Sequence, residues 1–476
     1  MTSASKLITP GQFDPAKHWY DKALNAQIHP LIHFFLNLSS DRIISRYCHL
    51  HPSASRQALT NLLAYKPKYF AWSGSDLLHV TSATGKRQMI VVETNSCPSG
   101  QKSMPLIDET NEQGGYRRLM ENTLMPRVLN KRNLPKGALA VLFDKNHMEA
   151  SGYAAVMADL FNEPVYLVNT LHENHLTRWT DRKLEICSEN GEWIPIRAAF
   201  RYVTQRPWSS IPINTKTFIF NPIIACLAGG RNKMVAAKAY DFFNGDMAES
   251  QLKILTPETI WDVSKAEIPL WVNRLGGQAV VKVPYSNAGQ GVYTIVNQDE
   301  LSQFMSQSFF YDRFIVQSLI GNFNSSSTGS TGKFYHVGTV PNLKGNSYAA
   351  DLRMMIQSTT KGFRPMSMYA RRAEKPLVNT LSNGEDSWSV LGTNLSIKNT
   401  DGSWGSSTNR LLLVDRRDFN KLGIGLDDLI DGFIQSVMAT VAIDKMAENL
   451  INSKGMLKAR LFKSLNDDPA LIEEIV

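Results

Sequence analysis

The segment VVKVPYSNAGQGVYTI, residues 280–295, carries the strongest local signal in the 476-residue chain. It places Lys282 at the end of an apolar strand, then a loop with Gly289 and Gly291, then a second strand. Small residues let backbone amides approach phosphate oxygens, and a nearby lysine neutralises their charge. Because the loop joins two strands, neither a P-loop nor a Rossmann motif fits. A glycine-rich hairpin with an incidental lysine is the alternative interpretation.

Two neighbouring segments extend this pattern. GGRNKMVAAKAYDFF, residues 229–243, places Lys233 at the start of a predicted helix. FIVQSLI, residues 314–320, places Gln317 at the edge of a strand that would link two subdomains. An exposed strand of this kind can bind an adenine edge through its backbone. Taken alone, each segment also has a simpler interpretation. Lys233 would be a solvated lysine, and Gln317 would be an ordinary strand residue.

Charged residues recur on two later strands. ADLRMMI, residues 350–356, carries Asp351 and Arg353 on one face, since alternate residues of a strand share a face. YARRA, residues 369–373, adds Arg371 and Arg372. Arginines that converge on one site would stabilise charge on a transferring phosphoryl group. The alternative is that they line a solvated face.

A candidate cation site lies early in the chain. IVVETNSCPSG, residues 90–100, places Glu93 and Asn95 two residues apart at the end of an apolar strand. Asp76 lies one strand earlier, and a hairpin over about residues 68–98 would bring the three side chains to one face. Carboxylate and amide oxygens are ligands that suit Mg²⁺. A merely solvated Asp76 is the alternative.

Bulk properties narrow the classes of function. The net charge is +8 and the pI about 9.1, but the basic residues are scattered without interleaved aromatics. Nucleic-acid binding therefore has little support, and an enzyme that handles polyphosphates or carboxylates explains the charge equally well. No apolar run approaches the roughly 20 residues that span a bilayer, and the first residues lack a signal-peptide pattern. We expect a soluble, cytoplasmic protein.

The four cysteines are far apart and form no C-x-x-C pair. This spacing argues against a disulfide framework and against structural zinc. Cys97 alone lies near the candidate cation site, where a small packed residue is the simpler interpretation.

The chain organisation is that of a mixed α/β protein. Helical patterns cover about residues 15–65, and helices alternate with short apolar strands from about residue 115, as in a parallel sheet. A smaller unit follows at 230–320, then long strands from 335 and a closing helix at 426–452. The insertion NSSSTGSTGK, residues 324–333, predicts either a disordered loop or a mobile lid over a substrate.

Together these segments resemble the ATP-grasp superfamily over roughly residues 65–450. The run from RNKMVAAKAYDFF to YARRA resembles its nucleotide-binding half, and SGSDLLHV with IVVETNSCPSG resembles its metal-binding end. In the usual order the metal-binding end comes last, whereas here it comes first. This order is similar to that of circularly permuted, glutathionylspermidine synthase-like carboxylate-amine ligases.

The resemblance implies an ATP-grasp fold in permuted order with a Rossmann-like pre-ATP-grasp domain. The implied units are N-terminal helices with the metal-binding hairpin (1–110), the Rossmann-like domain (111–228), the lid subdomain (229–320), and the central sheet with C-terminal helices (321–476).

The resemblance also implies a role for each matching residue. Lys233 and Lys282 would contact ATP phosphates, Ser286, Asn287, Gly289 and Gly291 would cover them, and Gln317 and its neighbours would frame the adenine. Asp76, Glu93 and Asn95 would hold Mg²⁺, with Mn²⁺ as an alternative. Arg353, with Arg371 or Arg372, would bind the transferring phosphoryl group and the acyl phosphate.

The implied reaction is ADP-forming ligation of a carboxylate to an amine through an acyl phosphate, on an amino acid, short peptide or polyamine. A phosphotransferase, a thiol ligase and a non-catalytic nucleotide-binding partner protein are the alternatives. One position departs from the pattern, because Gly74 stands where an arginine is expected two residues before the metal-binding aspartate. Either another arginine replaces it or the donor-carboxylate site differs. The oligomeric state stays open.

Overall fold

The computed structural model describes residues 5–108, 112–170, 176–203, 208, 210–286, 291–330, 332–381, 386–398 and 404–475. The strands are β1 Lys6–Ile8, β2 Trp72–Ser82, β3 Arg87–Asn95, β4 Ala138–Phe143, β5 Val165–Asn169, β6 Thr177–Thr180, β7 Lys183–Cys187, β8 Trp193–Tyr202, β9 Phe218–Phe220, β10 Thr259–Ser264, β11 Ala279–Lys282, β12 Val292–Ile295, β13 Arg313–Ser318, β14 Phe334–His336, β15 Ala350–Thr359, β16 Gly362–Arg372, β17 Ser396–Lys398, β18 Trp404–Ser406 and β19 Leu411–Leu412. The helices are α1 Pro15–His18, α2 Asp21–Leu24, α3 Pro30–Leu36, α4 Ser40–Leu50, α5 Arg56–Ala64, α6 Gly114–Leu119, α7 Met125–Leu129, α8 His147–Phe161, α9 Ile223–Ala225, α10 Lys233–Asp246, α11 Ile268–Arg274, α12 Gln298–Ser306, α13 Ser387–Leu391, α14 Leu426–Leu450, α15 Ala459–Leu465 and α16 Pro469–Ile475.

The Rossmann-like sheet has the order β1-β5-β4-β8-β7-β6, with β9 beside β8. Strands β4, β5, β8 and β9 are parallel, and α8 crosses between β4 and β5. Parallel strands are buried on both faces and read as continuous apolar runs, so this part of the sheet was predictable. The edge strand β1 was not predicted here; it comes from the N-terminal segment and pairs antiparallel with β5.

The central sheet joins the two ends of the chain. Its order is β14-β2-β15-β16-β19, with β3 beside β2 as the predicted hairpin. The face that carries Leu77, Leu352 and Met354 packs into one core with the long helix α14. The opposite face carries Asp76, Glu93, Asp351, Arg353 and Arg371. An antiparallel sheet with one apolar and one polar face produces this alternation along each strand.

The lid sheet has the order β10-β13-β11-β12. Val281, Phe314 and Val316 belong to its own apolar core with α11 and α12. The other face presents Lys282 and Gln317. Strand β13 lies between β10 and β11, where Gln317 pairs with Thr259 on one side and Val280 on the other. It is therefore an inner strand of the sheet rather than an exposed one, and adenine binding by Gln317 and its neighbours stays a prediction.

Three serines of the serine-rich insertion are packed, while the disordered-loop and mobile-lid expectations for the whole segment stay predictions. The hydroxyls of Ser325, Ser326 and Ser327 are buried and accept hydrogen bonds from the backbone amides of Asn322 (3.0 Å), Gly321 (2.9 Å) and Leu319 (2.7 Å). The hydroxyl oxygens thus act as hydrogen-bond acceptors for backbone amides in the segment that follows β13. Residue 331 lies outside the described residues.

Two further predictions can be compared with the structure. The closing helix is α14, and it packs beside the β2–β3 hairpin as expected. The four cysteines are free thiols. Among the helices in the described ranges, none combines the length and apolar character needed to cross a bilayer. The unit boundaries, the circular permutation and the cellular location stay predictions.

Candidate active site

A row of charged side chains crosses the central sheet. Glu93 on β3 lies directly opposite Asp76 on β2, and Asp76 lies directly opposite Arg353 on β15. Directly opposite residues of an antiparallel pair point to the same face. The hairpin thus brings together the two acids that the sequence predicted would share a site, and β15 adds an arginine to them.

Asp76 is held by two arginines. Arg353 donates from Nε to Oδ1 at 2.6 Å and from Nη2 to Oδ2 at 2.7 Å, and Arg371 Nη2 lies 2.9 Å from Oδ2. Arg371 also forms a two-bond pair with Asp351. Burial alone would raise the pKa of Asp76, but the two guanidinium groups outweigh it and hold the pKa below its ordinary value.

The two predicted lysines lie on the other side of Glu93. Asn232 caps α10 by accepting a hydrogen bond from Val235 N at 3.2 Å, which sets Lys233 at the first helical position. Lys233 Nζ lies 3.2 Å from Glu93 Oε1 and donates to the carbonyl of Ser286 at 2.7 Å. One lysine thus links the cation-site acid to the glycine-rich loop.

Lys282 has an unusual electrostatic environment. Burial lowers its pKa to about 8, and Lys233 acts in the same direction while Glu93 and Asp76 oppose the change. A buried lysine with few counter-charges is suited to receive an anionic ligand, because the ligand supplies the charge that the site lacks.

The glycine-rich loop is described only at its two ends. Val283 N donates to the Gly291 carbonyl at 2.7 Å, and Ser286 Oγ donates to the Val283 carbonyl at 2.9 Å. Gly291 has φ +69°, and a Cβ there would lie 2.9 Å from Ser286 Cβ. Only glycine meets both conditions without strain. Asn287 and Gly289 lie outside the described residues.

The cleft between the sheets contains two cavities of about 440 Å³ each. The first extends beside α10 toward β10, and the second extends over the central sheet toward the end of β4. Glu93, Lys282 and Gln317 line both cavities, so the cavities meet at these residues. Gln317 Nε2 donates to Thr259 Oγ1 at 2.8 Å, which orients the amide across the junction.

The predicted cation ligands share one wall of the second cavity. Asn95 lies opposite Gly74 on the same strand pair, and its buried Nδ2 has no hydrogen-bond partner among the described residues. With Glu93 and Asp76 it provides oxygens that suit a hard cation. The described ranges contain no cluster of three His, Cys, Asp or Glu that could hold a metal. Both Asp76 oxygens face arginines, so a cation there would have to displace guanidinium contacts.

The pleat of β16 separates the two candidate arginines. Arg371 contacts Asp76 and Asp351 in the cleft. Arg372 points to the other face, where its guanidinium lies 4.4 Å from the ring centroid of Tyr348 and donates to the Ala373 carbonyl at 3.0 Å. Adjacent strand residues face opposite sides, so only one of the pair can join Arg353.

The loop after Asn95 explains the glycine at position 74. A Cβ on Gly74 would lie 2.5 Å from Pro98 Cβ, so the loop occupies the space that a larger side chain would need. Buried Glu149 on α8 fixes this loop by accepting hydrogen bonds from Gly100 N at 2.7 Å and Gln101 N at 2.6 Å. An arginine at position 74 is incompatible with this packing.

Three residues of the cleft were not predicted from the sequence. Tyr369 accepts a hydrogen bond from Arg353 Nη1 at 3.2 Å, and Lys102 and Lys145 line the second cavity. Lys145 comes directly after the apolar strand β4, and ligands often bind beyond the carboxyl ends of parallel strands. That rule could have identified Lys145, whereas no pattern in the sequence marked Tyr369 or Lys102.

No family model and no curated protein matches the sequence. Solved structures similar in shape include a glutathione synthetase-like effector from Globodera pallida, with 9% identity, TM-score 0.39, and coverage of 73% of this chain and 86% of that one. A RimK domain protein ATP-grasp from Sphaerobacter thermophilus has 13% identity, TM-score 0.29, and coverage of 62% and 99%. D-alanyl-alanine synthetase A from Vibrio cholerae has 11% identity, TM-score 0.30, and coverage of 49% and 89%. With identities below 25% and TM-scores below 0.5, these likenesses support no conclusion about the family or the role of this chain.

The architecture is of the mixed α/β class that the sequence predicted. An antiparallel lid sheet and an antiparallel central sheet face each other across a cleft, and a Rossmann-like sheet adjoins its far end. The ATP-grasp assignment and its permuted order stay predictions.

Proposed function

We propose that this chain has the ATP-grasp fold and acts as an ADP-forming carboxylate-amine ligase. The observation that carries the proposal is the convergence of Lys233, Lys282, Glu93 and the paired arginines on one cleft between two sheets. Phosphoryl transfer needs positioned positive charge around the phosphates and around the oxygen that attacks them. This cleft supplies both in a site partly shielded from water.

The nucleotide would lie at the junction of the two cavities. Lys233 and Lys282 would contact its phosphates, because both ammonium groups border the junction beside Glu93. The loop with Ser286, Asn287, Gly289 and Gly291 would cover the phosphates. The Gln317 side chain would frame the adenine. Binding of polyphosphate would stabilise the charged form of Lys282, whose pKa is lowered in the free protein.

A divalent cation, Mg²⁺ or Mn²⁺, would be held by Glu93, Asn95 and, after its arginines move, Asp76. When bound, such a cation neutralises charge on the transferring phosphoryl group. The residues present fit it in chemistry, since all three offer oxygen ligands on one sheet face.

The acid substrate would react beside Arg353 and Arg371. Its carboxylate oxygen attacks the terminal phosphorus of ATP, and the bond to ADP breaks. The two guanidinium groups stabilise the negative charge on the transferring group and then on the acyl phosphate. An amine then attacks the acyl carbon, phosphate leaves with the bonding electrons, and the amine loses a proton. A closed lid would keep water from the acyl phosphate.

We also propose that the chain follows the circularly permuted order, with the four units at the boundaries predicted above. The pairing of the early β2–β3 hairpin with the late strand β15 supports this interpretation. Permutation is tolerated where chain ends lie at the surface.

The test is nucleotide turnover with Mg²⁺ and ATP against pools of amino acids, peptides and polyamines, with ADP resolved from AMP. We expect ADP and phosphate that depend on both an acid and an amine. Glu93→Ala and Lys282→Ala should abolish turnover, and Arg372→Ala should retain it as the matched control. AMP and pyrophosphate would contradict the acyl-phosphate route.

Other outcomes identify the alternatives. ADP formed from an acid or alcohol without any amine would indicate a phosphotransferase, and ADP that requires a thiol would indicate a thiol ligase. Tight ATP binding without turnover in any pool would favour a non-catalytic nucleotide-binding protein.

A further inference from the structure

Two lysines outside the proposed nucleotide contacts line the second cavity. Lys102 lies in the turn Gln101–Ser103 that follows the cation-site loop, and its side chain is only 8% exposed. Lys145 comes directly after β4, at the carboxyl end of the Rossmann-like sheet. The two residues therefore come from different elements and line the same cavity, and Lys102 Nζ contacts the side chain of Asn146, the residue after Lys145.

The contacts of Lys102 are neutral groups. Its Nζ donates to Asn146 Oδ1 at 3.1 Å and lies 4.9 Å from the ring centroid of Tyr20. Within the part of the chain that the structure describes, no carboxylate lies at ion-pair distance from Lys102 or Lys145. A poorly exposed ammonium without a carboxylate is costly unless a ligand supplies the charge.

Four carboxylates around the cleft are already engaged. Asp76 and Asp351 pair with the two cleft arginines, and Glu93 pairs with Lys233. Glu149 accepts from Ser99 Oγ at 2.5 Å and Tyr202 OH at 2.6 Å, besides two backbone amides. None of these acids neutralises Lys102 or Lys145.

The surroundings of Lys145 are cationic as well. Burial lowers the pKa of Lys145, and although Asp144 opposes this, Arg231 and Arg353 act with it. Neighbouring positive charges of this kind favour an anion in the space between them.

Lys102 is set apart from the proposed reaction centre. Arg353 and Tyr369 both donate to the Ser99 carbonyl, at 3.4 and 3.2 Å. The chain then turns, and Lys102 reaches away toward Asn146 beyond β4. A group bound at Lys102 is therefore distinct from one bound at Arg353.

We propose that Lys102 and Lys145 bind a second anionic group, a carboxylate or a phosphate, on the acid whose carboxylate reacts beside Arg353. The acid substrate is then a dianion. This inference rests on the proposed function, because it takes the reacting carboxylate from it. It also accounts for the missing arginine at position 74, since the acid is held from its far end.

The experiment measures binding by calorimetry to the full chain with Mg²⁺ and a non-hydrolysable ATP analogue. The probes are glutarate, 4-phosphonobutyrate and pentanoate, which share a chain length and differ in the second anionic group. We expect glutarate or 4-phosphonobutyrate to bind at least about tenfold more tightly than pentanoate. Tighter binding of glutarate would identify the second anionic group as a carboxylate, and tighter binding of 4-phosphonobutyrate would identify it as a phosphate.

Lys102→Met and Lys145→Met should each remove this preference while leaving the affinity for the nucleotide analogue unchanged. Lys131→Met removes an exposed lysine whose Nζ lies 4.9 Å from the ring centroid of Phe218; it is the control and should retain the preference. Equal binding of all three probes, or no detectable binding of either dianion to the unaltered protein, would overturn the proposal. The proposal would also be overturned if the variants weakened the binding of pentanoate as much as that of glutarate, because the lysines would then hold the reacting carboxylate itself.

Failure of the proposed function would look different. A ligase that turns over but prefers monoanionic acids leaves the proposed function standing and removes this inference. A dianion preference that depends on both lysines, without amine-dependent ADP formation, supports the anion site and removes the ligase.

Discussion

Arg353 holds Asp76 through two parallel hydrogen bonds, Nε to Oδ1 at 2.6 Å and Nη2 to Oδ2 at 2.7 Å, across 277 residues of chain. Arg353, which is expected to bind the transferring phosphoryl group, thus neutralises Asp76, which is expected to bind the cation. If the proposed function is correct, ligand binding replaces this internal pair with two external ones. The pair keeps both groups charged and oriented until then.

The contributions of Asp76 and Arg353 to the free energy of unfolding should be strongly coupled. Arg353→Met leaves Asp76 with Arg371 alone, and we expect a loss of about 3 kcal/mol in the free energy of unfolding, because a buried charge loses its bidentate partner. Adding Asp76→Asn to the Arg353→Met variant should restore part of the lost free energy of unfolding. A denaturant double-mutant cycle should give a coupling energy of about 1–3 kcal/mol. The exposed pair Arg46–Asp427 is the matched control and should couple far more weakly. Equal coupling in both pairs would contradict the prediction.

ATP binding should take up protons near pH 8. The pKa of Lys282 is about 8 in the free protein, so about half of these side chains are neutral at that pH. Bound phosphates favour the charged form, hence binding raises the pKa and affinity falls as the pH rises above 8. Calorimetry in buffers of different ionisation enthalpy measures the uptake, which should vanish toward pH 6.

Lys282→Met should remove this proton uptake. Lys238→Met is the control, since Lys238 is also poorly exposed but donates to the Leu465 carbonyl. Uptake that persists without Lys282 would assign the titration to another group.

Asp431 should make the protein less stable above pH 6. Burial raises its pKa to about 6, although its Oδ2 accepts a hydrogen bond from Met89 N at 2.8 Å. Between about pH 4 and 6 the folded chain keeps a proton that the unfolded chain has lost, so stability falls as the pH rises through this window.

Asp431→Asn removes this penalty and can still accept the amide hydrogen bond. We expect a gain on the order of 1–3 kcal/mol at pH 7 and none below pH 4, measured by denaturant unfolding at each pH. Asp427→Asn, at the exposed start of the same helix, should show no gain at pH 7. A gain that is independent of pH would refute the electrostatic explanation.

Gly74→Ala should lower stability by about 1–3 kcal/mol through overpacking, because the added Cβ would lie 2.5 Å from Pro98 Cβ. Denaturant unfolding measures the loss. Gly245→Ala is the control: its Cβ would meet nothing within 4 Å, and alanine suits a helix better than glycine. A neutral Gly74→Ala variant would mean that the loop yields easily and that an arginine could be accommodated there.

The local pattern of the sequence determined the elements and many of the site residues. Apolar periodicity predicted the β2–β3 hairpin, the parallel strands and α14. The strand–loop–strand around Lys282 marked the lid, and the spacing of Glu93 and Asn95 marked one face of β3. These features depend on neighbours in the chain, so side-chain period and turn chemistry are sufficient to predict them.

Only the tertiary structure decided which distant residues meet. Strand register set Arg353 opposite Asp76, and the pleat of β16 turned Arg371 into the cleft and Arg372 out of it. The order of the lid strands enclosed the backbone of Gln317 between two neighbours. Packing of separate sheets brought Lys102 and Lys145 to one cavity. Each of these outcomes depends on contacts between segments far apart in the chain, which local sequence patterns do not encode.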